Sequence, residues 1–245
     1  MLDQKRIILV HTSHPGNIGA TARAMKNMGL SQLYLVSPKS FPHPEALARA
    51  SGADDVLAGA AVTNTLKEAL TDCHYVYGTS GRNASLTWPV LGAREASQEI
   101  KESLAQSSER KIAIVFGQER TGLLNEELQQ CQKQIFIPTN SDYASLNLAQ
   151  AVQVITYECH MEMRETQACD KRYQQDGCLD DALATHQELE NYYNHLEQVL
   201  IQTKFLDPSA PKQLMARLRR LFYRATPTQV EINILRGILT SVQKG

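Results

Sequence analysis

The feature that most limits how this chain can fold is a repeated change of period. Short apolar runs rich in β-branched or aromatic residues alternate with longer stretches whose apolar residues recur at helical spacing. The runs fall at residues 6–10, 32–36, 75–78, 112–116 and 134–137, each of a length suited to one strand. Residues 18–28, 45–50, 93–103 and 146–160 lie among them and read as helices. Such alternation predicts an α/β fold, a mostly parallel sheet flanked by helices on both faces. At 245 residues and 42% hydrophobic content, the chain has enough apolar surface for one such core and a smaller appendage.

The pattern stops at residue 164. The following text, RETQACDKRYQQDGCLD, is polar, lacks a sustained apolar period and contains Gly177, so residues 164–180 read as a linker. Beyond it Leu189, Tyr193, Leu196 and Leu200 mark a helix that Asp207-Pro208 and Pro211 should stop. Leu214, Leu218 and Leu221 mark a second. Thr226-Pro227 starts a third, with Thr226 to Gln229 matching a capping box. The expected organisation is an α/β domain over residues 1–163, the linker, and a small all-helical domain over residues 181–245. No internal repeat is visible.

Net charge is −1, so any surface attractive to polyanions must be local. Arg217, Arg220 and Arg224 recur at helical spacing, with Arg219 close by, and make one helix face basic; Asp180, Asp181, Glu188 and Glu190 make the preceding segment acidic. The opening MLDQKRIILV has only a short apolar run before the text turns polar, unlike a signal peptide or membrane span. The five cysteines are scattered and form no CxxC pair, which argues against both a disulfide framework and a zinc site. A cytoplasmic protein without membrane or metal is expected.

Three segments stand out. In HTSHPGNIGATARAMKNMG, Ile18, Ala22 and Met25 mark a buried helix face, while Gly19, Arg23 and Lys26 fall elsewhere. Gly19 one turn before Arg23 would leave room above the guanidinium for a phosphate or ribose; an ordinary surface arginine is the plain alternative. In IAIVFGQERTGL a continuous apolar strand opens into a loop with Gly117 and Gly122. Those glycines have P-loop spacing, yet Leu123 stands where lysine belongs, and GxGxxG is absent, so nucleotide triphosphate and dinucleotide fingerprints both fail. In IFIPTNSDYASLNLAQAVQVITYE a strand ends at Pro138, a polar loop follows and a helix opens near Ser145 or Asn147. Its stripe of Leu148, Val152, Ile155 and Cys159 is suited to core packing, or to a subunit contact.

Together GNIGATARA, VFGQERTGL and IPTNSDYASLNLA resemble the three motifs of the SPOUT methyltransferases, in the branch that modifies ribose 2'-hydroxyls. The resemblance spans residues 6–158, and residues 11–30, the TSGR and WP segments and the helical tail are similar to members acting on the pyrimidine at position 32 of the tRNA anticodon loop. It implies a trefoil knot at the third motif, S-adenosyl-L-methionine as cofactor, tRNA as partner, and a homodimer with the active site at its interface. Asn17 and Arg23 match the first motif, Gly117 and Glu119 the second, Ser145 and Asn147 the third. Thr79, Ser80, Gly81, Gly117, Ile137 and the backbone of Ala144, Ser145 and Leu146 would form the cofactor pocket. Arg82 is similar to a basic residue used on RNA, whereas Ala84 stands where a second arginine is expected.

Arg23 is usually cast as the base in this family, but a guanidinium holds its proton tightly. The expectation is that Arg23 stabilises oxyanion character and positions phosphate, that Ser145 hydrogen-bonds the attacking group, and that Asn17 and Glu119 hold the arginine in place. Arg82, Arg217, Arg220 and Arg224 are the candidate RNA contacts. Alternatives are the same reaction on another RNA such as ribosomal RNA, a non-catalytic RNA-binding module, and a generic nucleotide-binding α/β protein.

Overall fold

The computed structural model describes residues 4–81, 89–140, 142–168, 182–210 and 212–244. The chain begins with β1 (Lys5–Val10), α1 (Pro15–Asn27), β2 (Gln32–Val36), α2 (Pro44–Ala50), α3 (Asp54–Ala58), β3 (Ala61–Thr63) and α4 (Leu66–Leu70). It continues through β4 (Tyr75–Thr79), β5 (Val90–Gly92), α5 (Ala93–Gln106), β6 (Ile112–Phe116), α6 (Asn125–Leu128), β7 (Lys133–Phe136) and α7 (Leu148–Ala168). The tail holds α8 (His186–Gln202), α9 (Leu214–Ala225) and α10 (Gln229–Lys244). Two compact units result, residues 1–172 and 173–245.

Among the described residues seven strands form one sheet, ordered β3-β2-β1-β6-β4-β7-β5, every pair parallel. Successive side chains of a strand point to opposite faces, so Ile7 and Leu9 of β1 enter one core and Ile8 and Val10 the other. α1, α2, α5 and α7 cover the first face through Ile18, Ala22, Met25, Ala46, Ile100, Val152 and Ile155. Leu66, Ala69 and Leu70 of α4 and Leu128 of α6 cover the second. Both faces being covered explains why the central strands read as largely apolar runs without alternation. The chain builds outward from β1 through β2 to β3, then crosses to β4 beyond β6. Strand order therefore reverses at β1 and β6, and a crevice at their carboxyl ends is where such sheets place ligands.

The stripe Leu148, Val152, Ile155 and Cys159 is buried in this unit's own core, which settles it as packing; Val154 and Tyr157 of the same helix are exposed. Gly19 is not open space. A Cβ there would lie 2.0 Å from the Ala46 carbonyl oxygen, so the glycine exists to let α2 rest directly on α1. The α1 helix starts earlier than its apolar period suggests, at Pro15, after His14 caps it by accepting from the Gly16 amide at 3.2 Å. The three-residue β3 and β5 are too short to carry a readable period.

α7 runs to Ala168, into the stretch expected as linker, because Arg164, Glu165, Gln167 and Ala168 are all strong helix formers. Residues 169–180 of that expected linker lie outside the described residues. In the tail, α8 ends at Gln202, well before Asp207-Pro208. Lys204 adopts φ 59°, and the Phe205 and Leu206 amides turn back to the Leu200 carbonyl. Thr226, with φ 45°, closes α9 rather than opening α10. The box that starts α10 lies two residues on, where the Glu231 amide donates to Thr228 Oγ1 at 3.2 Å and the Thr228 amide to Glu231 Oε2 at 2.7 Å. The tail's own core is aromatic: Tyr192 and Tyr193 of α8 meet Phe222 and Tyr223 of α9 edge-on or tilted.

Candidate active site

The carboxyl ends of β6, β4 and β7 are adjacent in the sheet, and they carry the residues expected to hold the cofactor. Register places Gly78 opposite Val115 and Thr79 opposite Ile135, so Thr79, Ser80 and Gly81 leave the sheet between Gly117 and Ile137. Thr79 Oγ1 donates to the Val115 carbonyl at 3.1 Å and the Ser80 amide to the Ile135 carbonyl at 3.2 Å, tying the end of β4 to both neighbours. After β6 the chain folds back on itself. The Gly122 amide donates to the Gln118 carbonyl at 2.9 Å, and a Cβ on Gly117 would stand 2.1 Å from the Gly122 carbonyl carbon. No side chain fits at Gly117, and Gly122 takes φ 67°. After β7, Thr139 Oγ1 donates to the Ala144 carbonyl at 3.3 Å, which folds the polar loop before α7. Ala144 and Ser145 are exposed, and their amides and that of Leu146 donate to no acceptor among the described residues.

Glu119 is the hub between these loops and α1. Its carboxylate accepts from the Ser13 amide at 3.2 and 3.1 Å, the Ser13 hydroxyl at 2.9 Å, the His14 amide at 3.2 Å and Asn17 Nδ2 at 3.0 Å. Because a carboxylate only accepts, Asn17 must turn its NH2 toward it and its carbonyl away. That carbonyl accepts from Asn147 Nδ2 at 2.9 Å, and Asn147 Oδ1 in turn accepts from the Ala149 amide at 2.9 Å, capping α7. One directed chain thus joins the β6 loop, the start of α1 and the start of α7. Burial pushes the Glu119 carboxyl up, but the bonds from Asn17, Ser13 and His14 outweigh it and hold the group below its ordinary value.

Neither Asn17 nor Glu119 is hydrogen-bonded to Arg23, contrary to the expectation that they hold it. Six residues along a helix is about 240° of rotation, so Arg23 leaves α1 on a different side from Asn17. Its guanidinium is exposed and has no hydrogen-bond or ion-pair partner among the described residues. Lys26 is occupied, donating to Asp55 Oδ1 at 2.8 Å and the Gly52 carbonyl at 2.9 Å. In the tail Arg217 and Arg224 are exposed and Arg220 half-buried, none with a partner among the described residues. Arg219 does not belong with them: it pairs with Glu190 and stacks 4.5 Å over the Tyr193 ring. Arg82 and Ala84 lie outside the described residues.

The parts that residue patterns did not bring forward are Ser13 and His14. They act largely through backbone amides, which leave no mark on residue identity; the short TSHPGN turn between a strand and a proline-started helix is the one available sign. Among the described residues no group of three or more His, Cys, Asp and Glu is placed to hold a metal ion.

Residues 4–157 match the model of the SpoU rRNA Methylase family, and residues 187–245 match that of the tRNA methyltransferase TrmJ C-terminal domain. A relative from Pseudomonas aeruginosa, the tRNA (cytidine/uridine/adenosine-2'-O-)-methyltransferase TrmJ, is 53% identical over 100% of this chain and 95% of its own. The tRNA (cytidine/uridine-2'-O-)-methyltransferase TrmJ of Photorhabdus laumondii is 49% identical over 100% and 98%. The crystal structure of TrmJ from Z. mobilis superposes with a TM-score of 0.82 at 36% identity, covering 98% of this chain and 99% of that one.

Proposed function

The chain belongs to the SpoU rRNA methylase family, and from that premise we propose that it methylates the ribose 2'-hydroxyl of a cytidine or uridine in tRNA, with S-adenosylmethionine as donor. The observation that carries the proposal is the meeting of Thr79, Gly117 and Ile137 at adjacent strand ends, joined through Glu119, Asn17 and Asn147 to the helix that bears Arg23. Full-length relatives named as tRNA methyltransferases, together with the C-terminal domain match, favour tRNA over ribosomal RNA. Position 32 of the anticodon loop is the proposed target, on the resemblance carried by residues 11–30 and the TSGR segment.

The residues present fit this cofactor. Gly117 leaves backbone bare at the crevice, and the amides of Ala144, Ser145 and Leu146 stand ready as donors to an adenine edge or carboxylate. Thr79, Ser80, Gly81 and Ile137 would complete the pocket. Bound there, S-adenosylmethionine supplies an electrophilic methyl on a sulfonium. The protein's part is to aim the ribose oxygen and to stabilise the charge it gains. Arg23, exposed and uncommitted, steadies that oxygen and a neighbouring phosphate while keeping its proton. Ser145 hydrogen-bonds the attacking hydroxyl. Asn17 and Glu119 are positioning residues that fix the loops, not the arginine.

A homodimer and a cytoplasmic location complete the proposal. Exposed Val154 and Tyr157, 36% and 47% accessible on α7, support a contact between copies. Cys73, Cys131 and Cys159 are free thiols, and among the described residues no helix is long and apolar enough to cross a membrane. β7 enters the sheet between β4 and β5, consecutive in the chain, which supports the trefoil knot. Arg217, Arg220 and Arg224 offer the tail's phosphate contacts, and Arg82 is proposed as a further RNA contact on resemblance alone.

Labelled S-adenosylmethionine incubated with the chain and total tRNA should place the label on the 2'-oxygen of nucleotide 32. Arg23→Ala should abolish transfer while leaving cofactor affinity within about twofold, since binding and charge stabilisation are carried by different groups. Label on a base, or no label on tRNA while ribosomal RNA offered in a parallel reaction is labelled, would overturn the proposal.

A further inference from the structure

The tail contains a cleft of about 420 Å³ lined by Asn191, Asn194, His195 and Gln198 of α8 and by Arg236 and Gln243 of α10. Residues 191, 194, 195 and 198 share one helix face, and 236 and 243 stand two turns apart on the other helix. His195 Nε2 and Gln243 Oε1 are 3.0 Å apart and tie the two walls together. Asn191 accepts from Gln187 at 2.9 Å, while the side chains of Asn194, Gln198 and Arg236 have no hydrogen-bond partner among the described residues. Among the described residues no carboxylate lines the cleft, although α8 carries Glu188, Glu190 and Glu197. Glu190 is taken up by Arg219, and Glu188 caps its own helix.

A surface built chiefly to hold phosphate is rich in cations and pure donors, because phosphate oxygens carry negative charge and only accept. Among the described residues this one presents one cation, four carboxamides and an imidazole, and the carboxamides and imidazole donate and accept alike. That chemistry matches base edges and ribose hydroxyls, which also present both kinds of group and are accessible in RNA where nucleotides are unpaired. We propose that this cleft binds unpaired nucleotides of the RNA substrate and contributes to its selection, while Arg217, Arg220 and Arg224 of α9 supply attraction that is blind to sequence. The proposal rests on the reading of the chain as a tRNA methyltransferase.

The test uses the full chain and an Asn194→Ala/Gln198→Ala variant, both exposed positions. Fluorescence anisotropy would follow binding to an unmodified tRNA that the chain methylates and to a fully paired RNA duplex of equal length, from about 50 to about 200 mM salt. The variant should bind the tRNA about tenfold more weakly, bind the duplex as before, and keep the slope of affinity against salt. Arg217→Ala should instead weaken both and lower the slope by about one. Unchanged tRNA binding, or an equal loss on both RNAs with a shallower slope, would overturn the assignment. Methyl transfer by the unaltered chain is measured in parallel: transfer with unaltered variant binding sinks the cleft alone, whereas no transfer to any tRNA sinks the activity and the cleft together.

Discussion

Glu119 shows how one ionised group can orient several neutral ones. Its carboxylate can only accept, so the amides of Asn17 and Asn147 are turned one after the other, ending at the first turn of α7. Replacement by glutamine puts an NH2 where Ser13, His14 or Asn17 also donates. Glu119→Gln should therefore cost about 2 kcal/mol at neutral pH, a fall in Tm of roughly 4–8 °C. A carboxyl whose folded value lies below its ordinary one stabilises fully above about 4.5 and loses that contribution as pH falls through the lowered value. The gap between parent and variant should close on acidification in a thermal-shift series; a gap independent of pH would show that the charge is irrelevant. Glu119 and Asn17 were readable as site residues from their motifs, but their partners were not. Rotation along α1 separates Asn17 from Arg23, and no sequence pattern shows which loop comes to meet which helix face.

At the scale of elements, the long strands and helices were legible because each has enough residues to display its period. The runs Tyr75 to Gly78 and Ile112 to Phe116 stood out, and the strands observed there are Tyr75–Thr79 and Ile112–Phe116. Starts and stops were less so, since they depend on single dihedrals: Lys204 ends α8 and Thr226 ends α9 by turning left-handed, which neither residue type announces. Gly19 is the sharpest case, for the same glycine fits both an open approach to Arg23 and the close packing on Ala46 that the structure shows. Gly19→Ala should push α2 off α1, costing about 1–3 kcal/mol or more because the obstacle is backbone and cannot rotate away. Since α1 also carries Asn17 and Arg23, methyl transfer should fall further than the folded fraction does. Thermal unfolding combined with initial rates checks this, and a variant as stable and active as the parent would show that the helices can separate freely.

At the scale of the whole molecule, strand order decides the site. Gly117, Thr79 and Ile137 are far apart along the chain and meet only because β6, β4 and β7 are neighbours. Alternation of periods predicts a parallel sheet but not the order of its strands, which depends on contacts between distant residues. Only the resemblance of three separate motifs to one family placed these loops together in advance. The tail divides its labour in the same way. Arg219 reads as part of a basic face, yet Glu190 and Tyr193 draw it into the packing of α8 on α9, leaving Arg217, Arg220 and Arg224 uncommitted. The central claim is that loops after three adjacent strands hold the cofactor. Hydrogen exchange of the full chain, with and without S-adenosylhomocysteine, tests it most directly. Slowed exchange should concentrate at residues 79–81, 117–122 and 137–146; protection confined to the β1–β2 side of the sheet or to the helical tail would contradict it.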